Sequence, residues 1–258
     1  MSSLPETRSE NCVVKELFVS SKTPIQEPGK MLAVFDFDHT IVNENSDVVA
    51  RDLLPSEDVP KSSKTYSGKW TQYMQQVFCS LNNLGTSPEE IIDTVSNMCP
   101  IEGMPKLIRS LHENNFDVII ASDSNSLFIN GWLKYNNLDD AVVCVYTNPA
   151  KIENGLINIE PFTLQTICKL CTTNMCKGNI VEEHKLKTNN IYTTIVYSGD
   201  GKNDFCPAVK LTKNDIVFPR EGYELEKLLK THAIQANVVS WSTGKCIYNY
   251  LKTRKLIL

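Results

Sequence analysis

A chain of 258 residues is long enough for one large hydrophobic core, or for one core and a smaller module. With 41% hydrophobic residues, 22% charged residues and a net charge of -4, it has the make-up of an ordinary soluble globule, and no long basic block suggests nucleic acid as the main partner. No run reaches the apolar length of a membrane span, and no secretory signal core opens the chain; with nine cysteines, an odd number, this predicts reduced thiols in a cytoplasmic protein.

Residues 1–29 are rich in Ser, Pro, Glu, Thr and Lys and predict a flexible leader. Met31 to Phe35 is a short apolar run, as expected of a strand buried on both faces. It ends in Asp36 and Asp38. Residues i and i+2 of an extended chain point to the same side, so both carboxylates leave the strand in one direction, about 7 Å apart along the backbone. Like charges held together disfavour each other's ionisation, so such a pair suits a metal or acid–base work. Alone, an Asp-x-Asp is more often a pair of solvated loop caps.

Asn45-Ser46-Asp47 precedes Val48 to Leu54 as a helix start. A polar linker follows over 55–67. Trp70, Tyr73, Met74, Val77, Phe78 and Leu81 recur at helical spacing and read as a core-facing stripe. Gly85 stops that helix. Ser87-Pro88-Glu89-Glu90 starts another, with Ser as cap, Pro in the first turn and Glu three after Ser. A further helix is expected over 103–113. Residues 47–100 carry helical signals and no strand signal. They are expected to form a helical cap inserted after the first strand, with 30–46 and 101–258 as an α/β core.

Phe116 to Ala121 predicts a second buried strand, ending in Ser122-Asp123-Ser124-Asn125. A helix over Leu127 to Tyr135, a strand over Ala141 to Tyr146 and a short strand over Gly155 to Ile159 follow. Asn174 to Lys187 predicts a helix carrying Lys177. Tyr192 to Tyr197 predicts a strand that runs into Ser198-Gly199-Asp200-Gly201-Lys202-Asn203-Asp204. Asp215 to Phe218 and Asn237 to Trp241 predict further strands, each with a helix after it. This alternation means a Rossmann-like α/β fold, a parallel sheet with helices on both faces. Ligands of such sheets sit beyond the carboxyl ends of the strands, so the polar clusters at 36–40, 122–125 and 199–204 are expected at one rim.

Four carboxylates (Asp36, Asp38, Asp200, Asp204), two hydroxyls (Thr40, Ser122) and the Lys177 ammonium converge there. So many carboxylates require a cation, and hard oxygen ligands with room for water and a phosphate suit Mg2+. No His joins them at ligand-like spacing, so zinc is not expected at that point. Gly199-Asp200-Gly201-Lys202 fails as a nucleotide-binding loop, because Asn203 follows the lysine where Ser or Thr is needed. Cys168-x-x-Cys171-x-x-x-x-Cys176 leaves two readings open. One is buried or redox-sensitive thiols. The other is a zinc clamp on the lysine helix, with His184 as a candidate fourth ligand. The other six cysteines, Cys12, Cys79, Cys99, Cys144, Cys206 and Cys246, are scattered and carry no pattern.

Asp36-Phe37-Asp38-His39-Thr40, Ser122 after a strand, Lys177 on a helix and Gly199-Asp200-x-x-x-Asp204 resemble the four motifs of the haloacid dehalogenase superfamily of phosphatases. Order and strand context match over about 31 to 245. More narrowly, Asp36 to Asp47, Ser122 to Ser126, the Cys168–Cys171–Cys176–Lys177 segment and Gly199 to Asp204 resemble the phosphoethanolamine/phosphocholine phosphatase and pyridoxal-phosphate phosphatase subfamily. The resemblance implies Asp36 as a nucleophile that becomes an aspartyl-phosphate and Asp38 as general acid/base. It implies Thr40 and Ser122 as phosphoryl-oxygen donors, and Lys177 as a neutraliser of charge on Asp36 and phosphate. It further implies that Mg2+ is held by Asp36, the Asp38 backbone carbonyl and Asp200, with Asp204 on the metal or its water shell. The implied substrate is a small phosphorylated metabolite: pyridoxal 5'-phosphate, phosphoethanolamine or phosphocholine. Asp47 and Asp123 have two readings, as helix caps that interact with the helix dipole or as selectors of a cationic substrate. Trp70 and Tyr73 would add a cation–π face in the second reading and core packing in the first. A phosphomutase or phosphotransferase on the same scaffold is the alternative. A catalytically silent binding module is the third reading, and it would lack the nucleophile, the acid/base or the lysine; all three are present.

Overall fold

The computed structural model describes residues 29–61 and 69–258, so the expected leader and part of the polar linker lie outside the described residues. The chain forms β1 (Met31–Phe35), α1 (Ser46–Arg51), α2 (Trp70–Asn83), α3 (Pro88–Ser96), α4 (Met104–Glu113), β2 (Phe116–Asn125) and α5 (Ser126–Tyr135). Next come β3 (Cys144–Asn148), β4 (Ala150–Glu153), β5 (Leu156–Ile159), α6 (Lys177–Thr188) and β6 (Ile195–Gly199). A 3-10 turn (Lys202–Asp204) leads into α7 (Phe205–Lys210), then β7 (Ile216–Pro219), α8 (Glu224–Thr231), β8 (Asn237–Val238) and α9 (Gly244–Thr253). Six strands form one parallel sheet in the order β3-β2-β1-β6-β7-β8.

β1 is interior to that sheet, and its residues are divided between two cores. Ala33 and Phe35 enter the apolar cluster built with Leu107 and Ile108 of α4, Phe128 and Trp132 of α5, and Leu251 of α9. Leu32 and Val34 enter a second cluster with Ile180 of α6, Ala208 of α7 and Leu225 of α8. The period of two along an extended chain makes this division, and it is why β1 reads as an unbroken apolar run. The first cluster continues into Tyr73, Met74, Val77 and Phe78 of α2 and Ile91 and Val95 of α3, so the inserted helices share the core of the sheet.

The differences from expectation have local causes. β2 runs on to Asn125, and its register against β3 shifts between Ala121 and Asn125, which carries Ser122 and Asp123 past the ordered ladder. α6 begins at Lys177 and not at Asn174. Thr163 N and Gln165 N donate to the carbonyls of Asn174 and Thr173, at 2.9 Å each, and these bonds hold the preceding residues in a loop. β4 went unforeseen because it is short and its Lys151, Ile152 and Glu153 are exposed. It pairs antiparallel with β5. Gln75 of α2 clasps this hairpin, donating to Ile157 O at 3.1 Å and accepting from Ile159 N at 2.9 Å. The start of α3 is as expected: Ser87 Oγ accepts from Glu90 N at 3.1 Å. No helix among the described residues is long and apolar enough to cross a membrane.

His184 of α6 is buried between two tyrosines, with Nδ1 2.9 Å from Tyr146 Oη and Nε2 3.0 Å from Tyr192 Oη. It is therefore part of the packing and stands apart from the cysteines as a metal ligand. Burial holds its pKa below the ordinary value of 6.5. Above that value the ring is neutral in both the folded and the unfolded chain. As pH falls through it, the unfolded chain takes up a proton that the folded one resists, so stability declines toward the lower folded pKa. Urea unfolding between about pH 7.5 and pH 5.5 should show this decline. His184→Gln should flatten it, and an unchanged slope in that variant would assign the pH dependence to other groups.

Candidate active site

The carboxyl ends of β1, β2 and β6 lie side by side, and the functional side chains hang from them. Asp36 follows β1 directly. The turn after it is closed by the Phe37 carbonyl, which accepts from the amides of Thr40, Ile41 and Val42. Phe37 itself is buried, edge-on to Trp132 at 5.7 Å between ring centroids, which anchors the turn in the core. His39 takes a left-handed conformation (φ 54°) so that the chain can reverse. Arg220, stacked 4.5 Å from the Tyr223 ring, braces the reversal by donating to His39 O and Asn43 Oδ1, both at 2.7 Å.

Lys177, the first residue of α6, is fully buried beneath this rim. Its Nζ lies 2.6 Å from Asp36 Oδ2 and 2.8 Å from Asp204 Oδ1. Burial alone opposes the ammonium, but Asp204 and Asp36 outweigh it and hold its pKa well above the ordinary lysine range. Asp204 is saturated. Its Oδ1 also accepts from Tyr197 Oη at 2.6 Å, and its Oδ2 accepts from the amides of Asp200 and Gly201 at 3.0 and 2.8 Å. A carboxylate offers about four acceptor positions, and here all four are taken. Gly199 permits the approach: a Cβ there would lie 2.4 Å from Asp204 Cγ. Asp204 thus acts as a strut under the strand end.

Oxygens of Asp36, Asp200 and Asp204 gather within 4.8 Å of one another. Burial is the main cause that lifts Asp36 to about 7, with Lys177 opposing it. Burial, then Asp36, lifts Asp200 to about 8. Three acidic groups facing one ammonium leave surplus negative charge in a dry place. An all-oxygen donor set with that surplus fits a hard divalent cation, which would restore both carboxylates to the ionised form.

Asp36, Asp38, Ser122, Asp123, Asp200 and Asn203 are among the walls of a cavity of about 260 Å³. Asp38 accepts at Oδ1 from Ser46 N at 2.8 Å, so the start of α1 aims it. Burial, then Asp47, raises its pKa well above the ordinary value. Ser122 Oγ accepts from Ser124 N at 3.3 Å. Thr40 differs from expectation: it is buried, and its hydroxyl turns to Asp200 Oδ1 at 3.5 Å, with no place in the cavity wall.

Neither Asp47 nor Asp123 makes a cap hydrogen bond, although Asp47 stands in the first turn of α1, where the helix dipole favours a carboxylate. Asn45 caps α1, accepting from Val48 N at 3.0 Å, and Asn125 caps α5, accepting from Phe128 N at 3.1 Å. Asp47 is buried inside α1; its Oδ2 accepts from Trp70 Nε1 at 2.5 Å, and its Oδ1 has no hydrogen-bond partner. Burial, opposed by Trp70, brings its pKa to about 7. Asp123 accepts from Thr172 Oγ1 at 3.1 Å, Asn174 Nδ2 at 3.0 Å and Asn203 Nδ2 at 2.6 Å. These donors were missed because amides and hydroxyls carry no sequence signal of their own. Tyr73 belongs to the core, as its spacing predicts. Trp70, at the end of the stripe, is half-buried: it packs against the core and also borders the cavity, with its ring 5.0 Å from that of Tyr73.

A parallel sheet with acidic groups and a buried lysine at its carboxyl rim is the arrangement of haloacid dehalogenase-type phosphatases, and comparison with known proteins agrees. Residues 31–254 match the family model described as Putative Phosphatase, and the chain belongs to that family. It is 39% identical over 236 residues to the pyridoxal phosphate phosphatase PHOSPHO2 of Bos taurus, covering 86% of this chain and 98% of that one. It is 29% identical over 255 residues to the phosphoethanolamine/phosphocholine phosphatase of Gallus gallus, covering 93% of each. In fold it is similar to a solved phosphoserine phosphatase with a phospho-aspartyl intermediate analogue, at a TM-score of 0.51 and 22% identity, over 79% of this chain and 99% of that one. The protein is a phosphoric monoester hydrolase.

Lys177→Met would strand Asp36 and Asp204 without their counter-charge. Breaking a buried pair in this way costs about 3–5 kcal/mol. Urea unfolding in the presence of chelator should show a loss of that order. A loss below about 1 kcal/mol, the scale of an exposed pair, would contradict the buried triad.

Proposed function

We propose that the protein is a Mg2+-dependent phosphatase that hydrolyses small phosphomonoesters bearing a positively charged nitrogen, through a phosphorylated Asp36. The observation that carries this reading is the Asp36–Lys177 contact of 2.6 Å at the cavity, beside Asp200. A carboxylate paired with a buried ammonium can meet a phosphate dianion without facing it as a bare charge. Asp36 and Asp200, with the Asp38 backbone carbonyl, would hold Mg2+, and Asp204 orients Asp200. The bound ion supplies charge neutralisation where two anions must meet.

In the first step an Asp36 oxygen forms a bond to phosphorus as the ester P–O bond breaks. Asp38 gives its proton to the departing oxygen. Burial and Asp47, which raise the Asp38 pKa, favour the protonated form that this step needs. In the second step Asp38, now ionised, takes a proton from water as that water attacks phosphorus and frees Asp36. Inorganic phosphate leaves, and Asp38 is again protonated. Ser122, at the cavity wall, donates to a phosphoryl oxygen, and Thr40 acts from behind by holding Asp200. The same intermediate would serve a phosphotransferase with an alcohol in place of water.

Residues 47–100 act as the cap over this rim, and Trp70 is its contribution to the cavity. No lysine or arginine is among the described residues lining the cavity, whereas Asp123 is there and the Asp47 carboxylate lies just behind Trp70. The unpartnered Asp47 Oδ1 favours a cationic group nearby, which would draw its proton off. Phosphocholine, phosphoethanolamine and the pyridinium form of pyridoxal 5'-phosphate share that chemistry.

Purified protein with Mg2+ should release phosphate from p-nitrophenyl phosphate, and Asp36→Asn should abolish turnover while circular dichroism stays native. Undiminished turnover would remove Asp36 from the nucleophile role. Asp47→Ala should raise KM for phosphocholine about 10-fold, near 1.4 kcal/mol, and leave KM for p-nitrophenyl phosphate in place. Equal changes for both substrates would leave Asp47 acting on Asp38 alone.

A further inference from the structure

Four sulfurs gather behind the site, a group that sequence spacing did not assemble. Cys168 and Cys171 lie on the loop before α6, Cys176 is the residue that caps α6, and Cys206 is in the first turn of α7. Their Sγ atoms all lie within 4.8 Å of one another. Cys206 Sγ is 3.5 Å from that of Cys168 and 3.8 Å from that of Cys176. Four thiolates around one zinc ion, at about 2.3 Å each, stand about 3.8 Å apart along the edges of the tetrahedron. A disulfide would need about 2.05 Å, and none of the described cysteines forms one.

The start of α6 adjoins the sulfurs: Asn179 N donates to the Cys176 carbonyl at 3.0 Å, and Cys171 Sγ lies 3.7 Å from the Asn203 carbonyl. Gly178 leaves the room: a Cβ there would lie 2.7 Å from Cys206 Sγ. Cys176 and Cys206 are buried, and Cys168 and Cys171 are half-buried. Four cysteine sulfurs gathered at this spacing match the donor set of a structural zinc site.

We propose that Cys168, Cys171, Cys176 and Cys206 bind one structural zinc ion that clamps the start of α6 to the start of α7. Cys176 directly precedes Lys177, and Cys206 stands two residues after Asp204. The clamp therefore fixes, from behind, the two backbones whose side chains form the 2.8 Å Lys177–Asp204 pair. It is a positioning device, separate from the Mg2+ locus and independent of which phosphomonoester the enzyme cleaves. His184 takes no part, since both its ring nitrogens are engaged by tyrosines.

The test is metal analysis of full-length protein purified with Mg2+ present and without chelator or added zinc. One zinc per chain is expected, retained through gel filtration in excess Mg2+. Cys206→Ser should lose it, and Cys246→Ser, at an exposed site outside the cluster, should keep it. Because Cys206→Ser can also fail through misfolding, the wild-type chain is measured a second way. Exchange of zinc for Co2+ should give the intense visible bands and the sulfur-to-cobalt charge transfer of a tetrahedral four-thiolate site. Overturning results are a metal-free chain that takes up neither zinc nor Co2+, iron in place of zinc, disulfides among these four residues by mass spectrometry, or a cobalt spectrum of octahedral, oxygen-bound type.

Discussion

The structure depends on one buried ammonium. Lys177 Nζ touches Asp36 at 2.6 Å and Asp204 at 2.8 Å, with no exposure to solvent. Charges in such a place survive only when paired and hydrogen-bonded. Asp204 meets that condition within the protein, because all of its acceptor positions are filled. Asp36 and Asp200 do not, and their raised pKa values express the shortfall. The same shortfall is what a divalent cation and a phosphoryl group would each address from the cavity side. Electrostatic imbalance at the rim and affinity for charged ligands are two descriptions of one arrangement.

Parallel strands bring these groups together. Asp36 leaves β1, Ser122 and Asp123 lie at the irregular end of β2, and Asp200 follows β6, all at neighbouring carboxyl ends. Lys177 arrives from the helix that packs beneath β1 through Ile180 and Val181. The apolar division of β1 between two cores is thus what holds the charged rim in register. The inserted helices add Asp47 and Trp70 from the other side, and α1 also orients Asp38 through Ser46 N.

What was legible in the sequence was whatever carried a strong local contrast. An apolar run that stops at an acidic residue marks a strand and its carboxyl end, as at β1 before Asp36 and β6 before Asp200. Where neighbouring residues compete for one role, local reading fails. Asn45 and Asp47 both suit a helix start, as do Asp123 and Asn125; in each case the asparagine takes the cap, while Asp123 lines the cavity and Asp47 turns to Trp70. Spacing revealed the Asp204 carboxylate beside Asp36 and Asp200, but not the lysine, tyrosine and amides that bond to it. Exposed, charged β4 has no apolar pattern to read. Cys206 lies 30 positions beyond Cys176, and β6 must fold between them before the two meet, so no cysteine spacing rule connects them. The available hint was positional: one cysteine adjoins Lys177 and another follows Asp204.

The claim at the centre is that surplus carboxylate charge around a single lysine creates a site for one divalent cation. Calorimetric titration of Mg2+ into the apo enzyme tests it most directly. One binding event per chain is expected in the wild type, with none in Asp200→Asn. Equal binding by the two proteins would contradict the account.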